Sequence, residues 1–90
     1  MAIKIHIPTP MRQYTDDKTT VEVAGDTVAA VLADLSAKYP ALGDRLFQDG
    51  KVRQFINIFV NSDDVRYLND LATPVKDGDE VDLMSALAGG

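Results

Sequence analysis

Ile3, Ile5 and Ile7 alternate with Lys4 and His6, the period-two spacing of a strand with one buried face, and Pro8 and Pro10 stop it. The polar, aperiodic stretch Thr9 to Lys18 reads as a loop, after which Val21 and Val23 resume the alternation between Thr19 and Val23. These segments predict a β-hairpin with a long tip. Ala24-Gly25-Asp26-Thr27 then supplies a turn and a side-chain oxygen for a helix start. Val28, Val31, Leu32, Leu35 and Tyr39 recur at helical spacing until Pro40 forbids continuation. Ala41 to Phe47 adds a short turn of helix, and Gln48 to Gln54 reads as a surface connection. In Phe55 to Val60, Ile56, Ile58 and Val60 share one face of a strand while Phe55, Asn57 and Phe59 share the other. Asn61-Ser62-Asp63-Asp64 reads as a turn and Val65-Arg66-Tyr67 as a short strand. Asp77-Gly78-Asp79 reads as a tight turn into alternating Val81, Asp82 and Leu83. The order is ββαββ with room for a fifth strand. The expected core is Ile3, Ile5, Val21, Val28, Val31, Leu32, Leu35, Ile56, Ile58, Val81 and Leu83.

Ninety residues suffice for one small domain, assigned to residues 1–84, with 85–90 as a tail. There is no room for a nucleotide-binding fold beside a substrate domain, so chemistry that needs one must come from a partner. Charge sharpens this picture. The chain carries 14 acids and 9 bases for a net −5, and the whole excess lies in residues 61–90, where only Arg66 and Lys76 oppose the acids. Such a surface repels phosphate backbones, which argues against nucleic acid as a partner. The absence of cysteine removes disulfides, thiolate metal sites and thiol nucleophiles. The N-terminal residues lack the pattern of a signal peptide and no long apolar run follows, so the expected location is cytoplasmic, with no membrane partner.

Candidate catalytic groups are few. His6 is the sole histidine, on the outward side of its strand with no carboxylate or second histidine expected nearby, and is assigned no metal or catalytic role. Asp77-Gly78-Asp79-Glu80 resembles half of a calcium loop but lacks the later oxygen ligands. Asp63 and Asp64 have no apolar flank to raise a pKa and read as a solvated turn. No catalytic constellation emerges, and the chain is not expected to be an enzyme.

The C-terminal residues differ in kind. Met84-Ser85-Ala86-Leu87-Ala88-Gly89-Gly90 carries no charged side chain and tapers to two glycines, the composition of a flexible arm. With glycine at about 7% of average composition, a terminal pair arises by chance roughly 0.5% of the time. Glycine has no Cβ, so Gly89 and Gly90 can be threaded along a narrow channel to bring a carboxylate to another enzyme's nucleotide. ATP would convert that carboxylate into an acyl-adenylate open to attack by an amine, thiol or sulfide.

The ββαββ order, Val60-Asn61 at a strand end, Asp77-Gly78-Asp79-Glu80-Val81 and Ala88-Gly89-Gly90 resemble the ubiquitin-like sulfur carriers of the ThiS and MoaD group over essentially the whole chain. Ile7-Pro8-Thr9, Arg12, Thr15, Gly25-Asp26-Thr27, and Phe55, Asn57-Ile58 and Val60-Asn61 followed by Asp64-Val65-Arg66 are most similar to its cysteine-biosynthesis branch. The resemblance implies an α+β, β-grasp fold, a mixed sheet of four to five strands packed on one helix with a flexible Gly-Gly tail. It implies that an E1-like enzyme, using ATP and Mg²⁺, adenylates the Gly90 carboxylate and sulfurylates it to a thiocarboxylate, while the carrier itself binds no cofactor. It further implies a PLP-dependent cysteine synthase or another sulfur-transfer synthase as acceptor, and a JAMM-type metalloprotease that releases the product. Thiamin, molybdopterin and thio-natural-product synthesis, a protein modifier joined to lysine amines, and a plain interaction domain are the alternatives. Ser85-Ala86-Leu87 replaces the prolines frequent in molybdopterin carriers. In the carrier reading Phe59, Met84, Leu87 and Ala88 form the expected tail and docking surface, with Asp63, Asp64, Asp79 and Asp82 steering association.

Overall fold

The computed structural model describes residues 2–53 and 55–85. The first strand, β1 (Ala2–His6), buries Ile3 and Ile5 and turns Lys4 and His6 to the opposite face, as the alternation requires. It pairs antiparallel with β2 (Thr20–Ala24), which buries Val21 and Val23. Between them Thr9–Tyr14 forms a 3-10 helix rather than the irregular loop expected. The correction has a physical cause: Pro10 presets the helical φ in the first turn, and Met11 is buried and anchors the segment. Thr15, also buried, closes it through hydrogen bonds from its hydroxyl to the carbonyls of Arg12 and Lys18.

Helix α1 (Val28–Lys38) starts where the sequence places it, with Thr27 Oγ1 accepting a 3.1 Å hydrogen bond from Ala30 N. Val28, Val31, Leu32 and Leu35 are buried along one stripe, each contributing roughly 1.5–3 kcal/mol of transfer free energy. The opposite side of the helix engages the outer edge of β2. Asp34 Oδ2 accepts from Ala24 N at 2.9 Å, and Lys38 Nζ donates to Asp34 and to the Glu22 carbonyl. Outward-pointing backbone groups of an edge strand are thereby occupied, which discourages addition of another strand.

Pro40 opens a second helix, α2 (Pro40–Leu46), whose Leu42 and Leu46 complete the core beneath α1. Gly43 sits at the crossing, where a Cβ would fall 2.8 Å from Ser36 Cβ, too close for any larger residue without a shift. The expected connection from Gln48 to Gln54 contains instead a small hairpin, β3 (Phe47–Gln48) with β4 (Lys51–Val52). Its turn is Asp49-Gly50, both at positive φ (55° and 78°), the geometry that suits the twist of a two-residue hairpin.

Strand β5 (Ile56–Val60) buries Ile56, Ile58 and Val60. Asn61 and Ser62 then turn at positive φ into β6, which is Asp63–Asp64, residues read from the sequence as part of the turn. Val65–Tyr67 is a 3-10 turn and not a strand, because Asp64 caps it by accepting from Arg66 N. Another 3-10 turn, Asp70–Ala72, leads to buried Thr73 and Val75, and Val28 N donates to the Thr73 carbonyl at the foot of α1. The last strand, β7 (Glu80–Ser85), follows the turn at Gly78 and runs one residue past the 1–84 boundary.

The five-stranded sheet has the order β2-β1-β7-β5-β6, with β7 parallel to β1 and antiparallel to β5. All eleven expected core residues are buried. Ile7, Met11, Val23, Leu42, Leu46, Val60, Val65 and Val75 join them. Both helices pack on this apolar face, leaving the other face of the sheet open.

Candidate functional site

Alternation and register together determine what the open face displays. Thr20, His6, Asp82, Phe59 and Asp64 stand opposite one another on β2, β1, β7, β5 and β6, so they form one row across all five strands. Glu22, Lys4 and Glu80 form the next row on one side, and Asn57 with Met84 the next on the other. Phe59 is half-buried and stands between Asp82 and Asp64, while Tyr14, Tyr39, Phe47 and Phe55 pack against the core. Met84 is 53% exposed and is the diagonal neighbour of Phe59 across β5 and β7. The structure thus places these two expected docking residues together on one face. Leu87, Ala88, Gly89 and Gly90 lie outside the described residues.

His6 has company that linear sequence does not reveal. Its Nε2 lies 2.7 Å from Glu80 Oε1 and 3.7 Å from Asp82 Oδ1, and its Nδ1 lies 3.3 Å from the Thr20 hydroxyl. The reading of a histidine without a carboxylate nearby is therefore corrected, since sheet pairing brings in residues from more than seventy positions away. An Nε2–H tautomer donates to Glu80 and accepts from Thr20, so the ring is satisfied as a surface group. No group of three metal-ligating side chains suited to an ion occurs among the described residues.

Asp64 and Asp79, assigned to turns, are held by hydrogen bonds, whereas Asp63 is exposed as expected. Asp64 sits below the ordinary carboxylate range because the Arg66 side chain and then the Arg66 backbone N–H donate to it, with Arg66 Nη2 at 2.7 Å. Asp79 is lowered by the Lys76 N–H and then by Asn61 Nδ2. Asn61 completes the loop by accepting from Glu80 N at 3.1 Å, so the turn after β5 is stitched to the start of β7. None of these carboxylates is poised for acid-base chemistry.

At the Met84 end of the sheet a groove of about 470 Å³ runs between the 3-10 segment and β7. Pro8, Thr9, Pro10 and Arg12 form one side, Leu83 and Met84 the other, with His6 and Asp82 also lining it. A second hollow of about 380 Å³ lies at the opposite edge of β5, lined in part by Val52, Arg53, Arg66 and Leu71. Only the first adjoins the segment leading to the C-terminal glycines. Arg12, placed in the sequence only by resemblance, is the residue of this groove that composition and periodicity do not reveal.

A five-stranded mixed sheet in the order β2-β1-β7-β5-β6, wrapped over one long helix, with the last strand central, is a ubiquitin-like β-grasp fold. Residues 5–90 match the ThiS family, and the chain belongs to it. It is 42% identical over 93 residues to the sulfur carrier protein CysO of Mycobacterium tuberculosis, covering all of both chains. A chain in the crystal structure of the Amycolatopsis orientalis BexX/CysO complex superposes with a TM-score of 0.91 at 37% identity, covering 99% of this chain and 100% of that one. Similarity extends to small archaeal modifier protein 3 of Haloferax volcanii, at 41% identity over 64 residues, 71% of this chain and 70% of that one. The protein is a CysO-like, ubiquitin-like sulfur carrier. The CysO relative is named as a carrier and the archaeal relative as a modifier, and none of the described helices is long and apolar enough to cross a membrane.

Proposed function

We propose that this carrier transports sulfur as a thiocarboxylate on Gly90 and delivers it to cysteine biosynthesis. The observation that supports the reading best is the full-length similarity to CysO, taken with a last strand that sets Met84 beside Phe59 on the open face. In the first step a Gly90 carboxylate oxygen attacks the α-phosphorus of ATP at an E1-like enzyme, with Mg²⁺ held there, and pyrophosphate leaves. Hydrosulfide then attacks the acyl-adenylate carbon and AMP leaves, so the C-terminal hydroxyl oxygen is replaced by sulfur. In a PLP-dependent synthase the thiocarboxylate sulfur would replace the activated hydroxyl group on the β-carbon of a serine derivative, which leaves; the acyl group then shifts from sulfur to the α-amino nitrogen, and a JAMM-type metalloprotease uses water to cleave the resulting amide, freeing cysteine and the carrier carboxylate. The carrier contributes no catalytic group and no resident cofactor; its body supplies recognition and its tail supplies reach. We assign it to the cytoplasm, where these soluble reactants occur.

Reconstitution tests the reading: the chain, an E1-like enzyme from the same host, MgATP and sulfide should give a thiocarboxylate that forms cysteine with the PLP synthase. Failure of wild-type protein to exchange pyrophosphate into ATP with any such host enzyme would remove the proposal. A second reading, a modifier joined to lysine amines, is favoured by the likeness to small archaeal modifier protein 3. It predicts host-protein lysines in amide linkage to Gly90, seen after trypsin as a branched remnant of residues 77–90 because Lys76 is the last basic residue.

A further inference from the structure

Among the described residues Arg12 and Arg45 make no hydrogen bond or ion pair through their terminal nitrogens, and of the two only Arg45 is stacked on a ring. Arg66 is paired with Asp64 at 2.7 Å, Arg45 lies over the Tyr14 ring at 5.4 Å, and Arg53 donates to Gln48 and to the Asp44 carbonyl. Arg12 instead donates through Nε to the Ile7 carbonyl at 3.0 Å. That bond fixes the guanidinium plane and leaves both terminal nitrogens for something else. The backbone beneath is equally fixed: the Arg12 carbonyl accepts from Thr15 N, from Asp17 N and from the Thr15 hydroxyl, with Met11 and Thr15 buried beside it. A half-buried, immobilised guanidinium without a carboxylate, in a chain with 14 acids, is a preorganised donor pair for a ligand.

Its place in the fold identifies that ligand's source. Arg12 faces Leu83 and Met84 across the groove from which the chain leaves the sheet. Six residues from Met84 to Gly90 span at most roughly 20 Å when drawn out. An enzyme that threads this arm to a reactive centre therefore has its channel mouth against the groove, while its nucleotide phosphates lie too far away for Arg12 to touch. We infer, on the carrier reading above, that Arg12 docks a carboxylate side chain at the entrance of the enzyme that receives the arm. Charge complementarity favours this occupant. The rest of the open face offers Glu22, Glu80 and Asp82, with Lys4 among them, His6 hydrogen-bonded to Glu80 and Asp64 already paired with Arg66, and calls for a basic partner surface. Arg12 alone calls for an acidic one at the tail end. A docked enzyme turned end for end would set Arg12 against its basic surface, so the two signs fix the direction in which the arm enters.

The test uses the full chain and the host E1-like enzyme that catalyses ATP–pyrophosphate exchange on it. Arg12→Gln keeps a donor for the Ile7 carbonyl but removes the charge, and should raise the KM for the carrier about tenfold with kcat within about twofold of wild type. Arg12→Lys, a cation without the planar fork, should fall between them. Arg12→Glu should be restored toward wild type by changing an acidic residue at the enzyme's channel mouth to Arg. An unchanged KM in Arg12→Gln, or a large drop in denaturation midpoint in both Gln and Lys variants, would mean that the residue is only an internal strut and would overturn the proposal. Lack of exchange by wild-type chain would instead count against the carrier reading itself.

Discussion

Phe59 illustrates how one residue position can separate stability from recognition. Its neighbours Ile58 and Val60 point into the core, whereas its own ring stands in the acidic row of the open face. Phe59→Ala should leave the denaturation midpoint nearly unchanged and raise the KM of the carrier in adenylation, a loss of about 1–3 kcal/mol. Leu32→Ala, on the buried stripe of α1, should do the reverse, costing about 2–5 kcal/mol in urea unfolding with adenylation kinetics of the folded fraction unchanged. Asp79 adds a pH signature. Its folded pKa lies below the ordinary value near 3.8, because the Lys76 N–H and Asn61 Nδ2 favour the charged form. Protons therefore bind the unfolded chain first. The stability from this carboxylate is complete above that value and is lost as pH falls below it through the folded pKa. Urea titrations between pH 7 and pH 2 should show this decline, and Asn61→Ala should make it shallower. The alternation around Phe59 was legible in sequence; the partners of His6 and Asn61 were not, because sheet pairing creates them across long separations, and Arg12 meets the Ile7 carbonyl only five residues away through a turn that leaves no periodic pattern.

At the scale of elements, strong periodicity carried the reading. Four alternating strands and one amphipathic helix with Thr27 at its start were legible because each buries an apolar face. The short elements were not, since two-residue strands have no period. Asp49-Gly50 is nevertheless a hairpin signal in its own right, and Asn61-Ser62 shows that the turn there needed only two residues, freeing Asp63 and Asp64 to pair with β5. Thr9–Lys18 looked unstructured because a 3-10 turn anchored by the single buried Met11 leaves almost no hydrophobic pattern. The end of β7 makes a different prediction. Deleting Gly89 and Gly90 removes no side-chain packing, so the unfolding free energy should change by less than ~0.5 kcal/mol while thiocarboxylate formation is abolished. Chemical denaturation and mass spectrometry on the same preparation check both halves.

For the whole molecule, the helices cover one face of the sheet and leave the other free for partners, and the charge distribution biases which partners fit. Residues 61–90 hold the net −5, and much of it borders the open face through Asp64, Glu80 and Asp82. Neutralising these acids should slow association with an activating enzyme at low salt and flatten its salt dependence, with little change in kcat. The central claim is that sulfur is carried on Gly90, and the most direct measurement is the intact and fragment mass of the protein purified from its native host under sulfur-replete growth. The account predicts a species about 16 Da heavier than the unmodified chain, with the added mass confined to C-terminal fragment ions that contain Gly90 and exclude Met84. Oxidation of Met1, Met11 or Met84 gives the same nominal shift but places it elsewhere. A population in which the C-terminal fragment is always an unmodified carboxylate, or is found only in amide linkage to lysines, would contradict it.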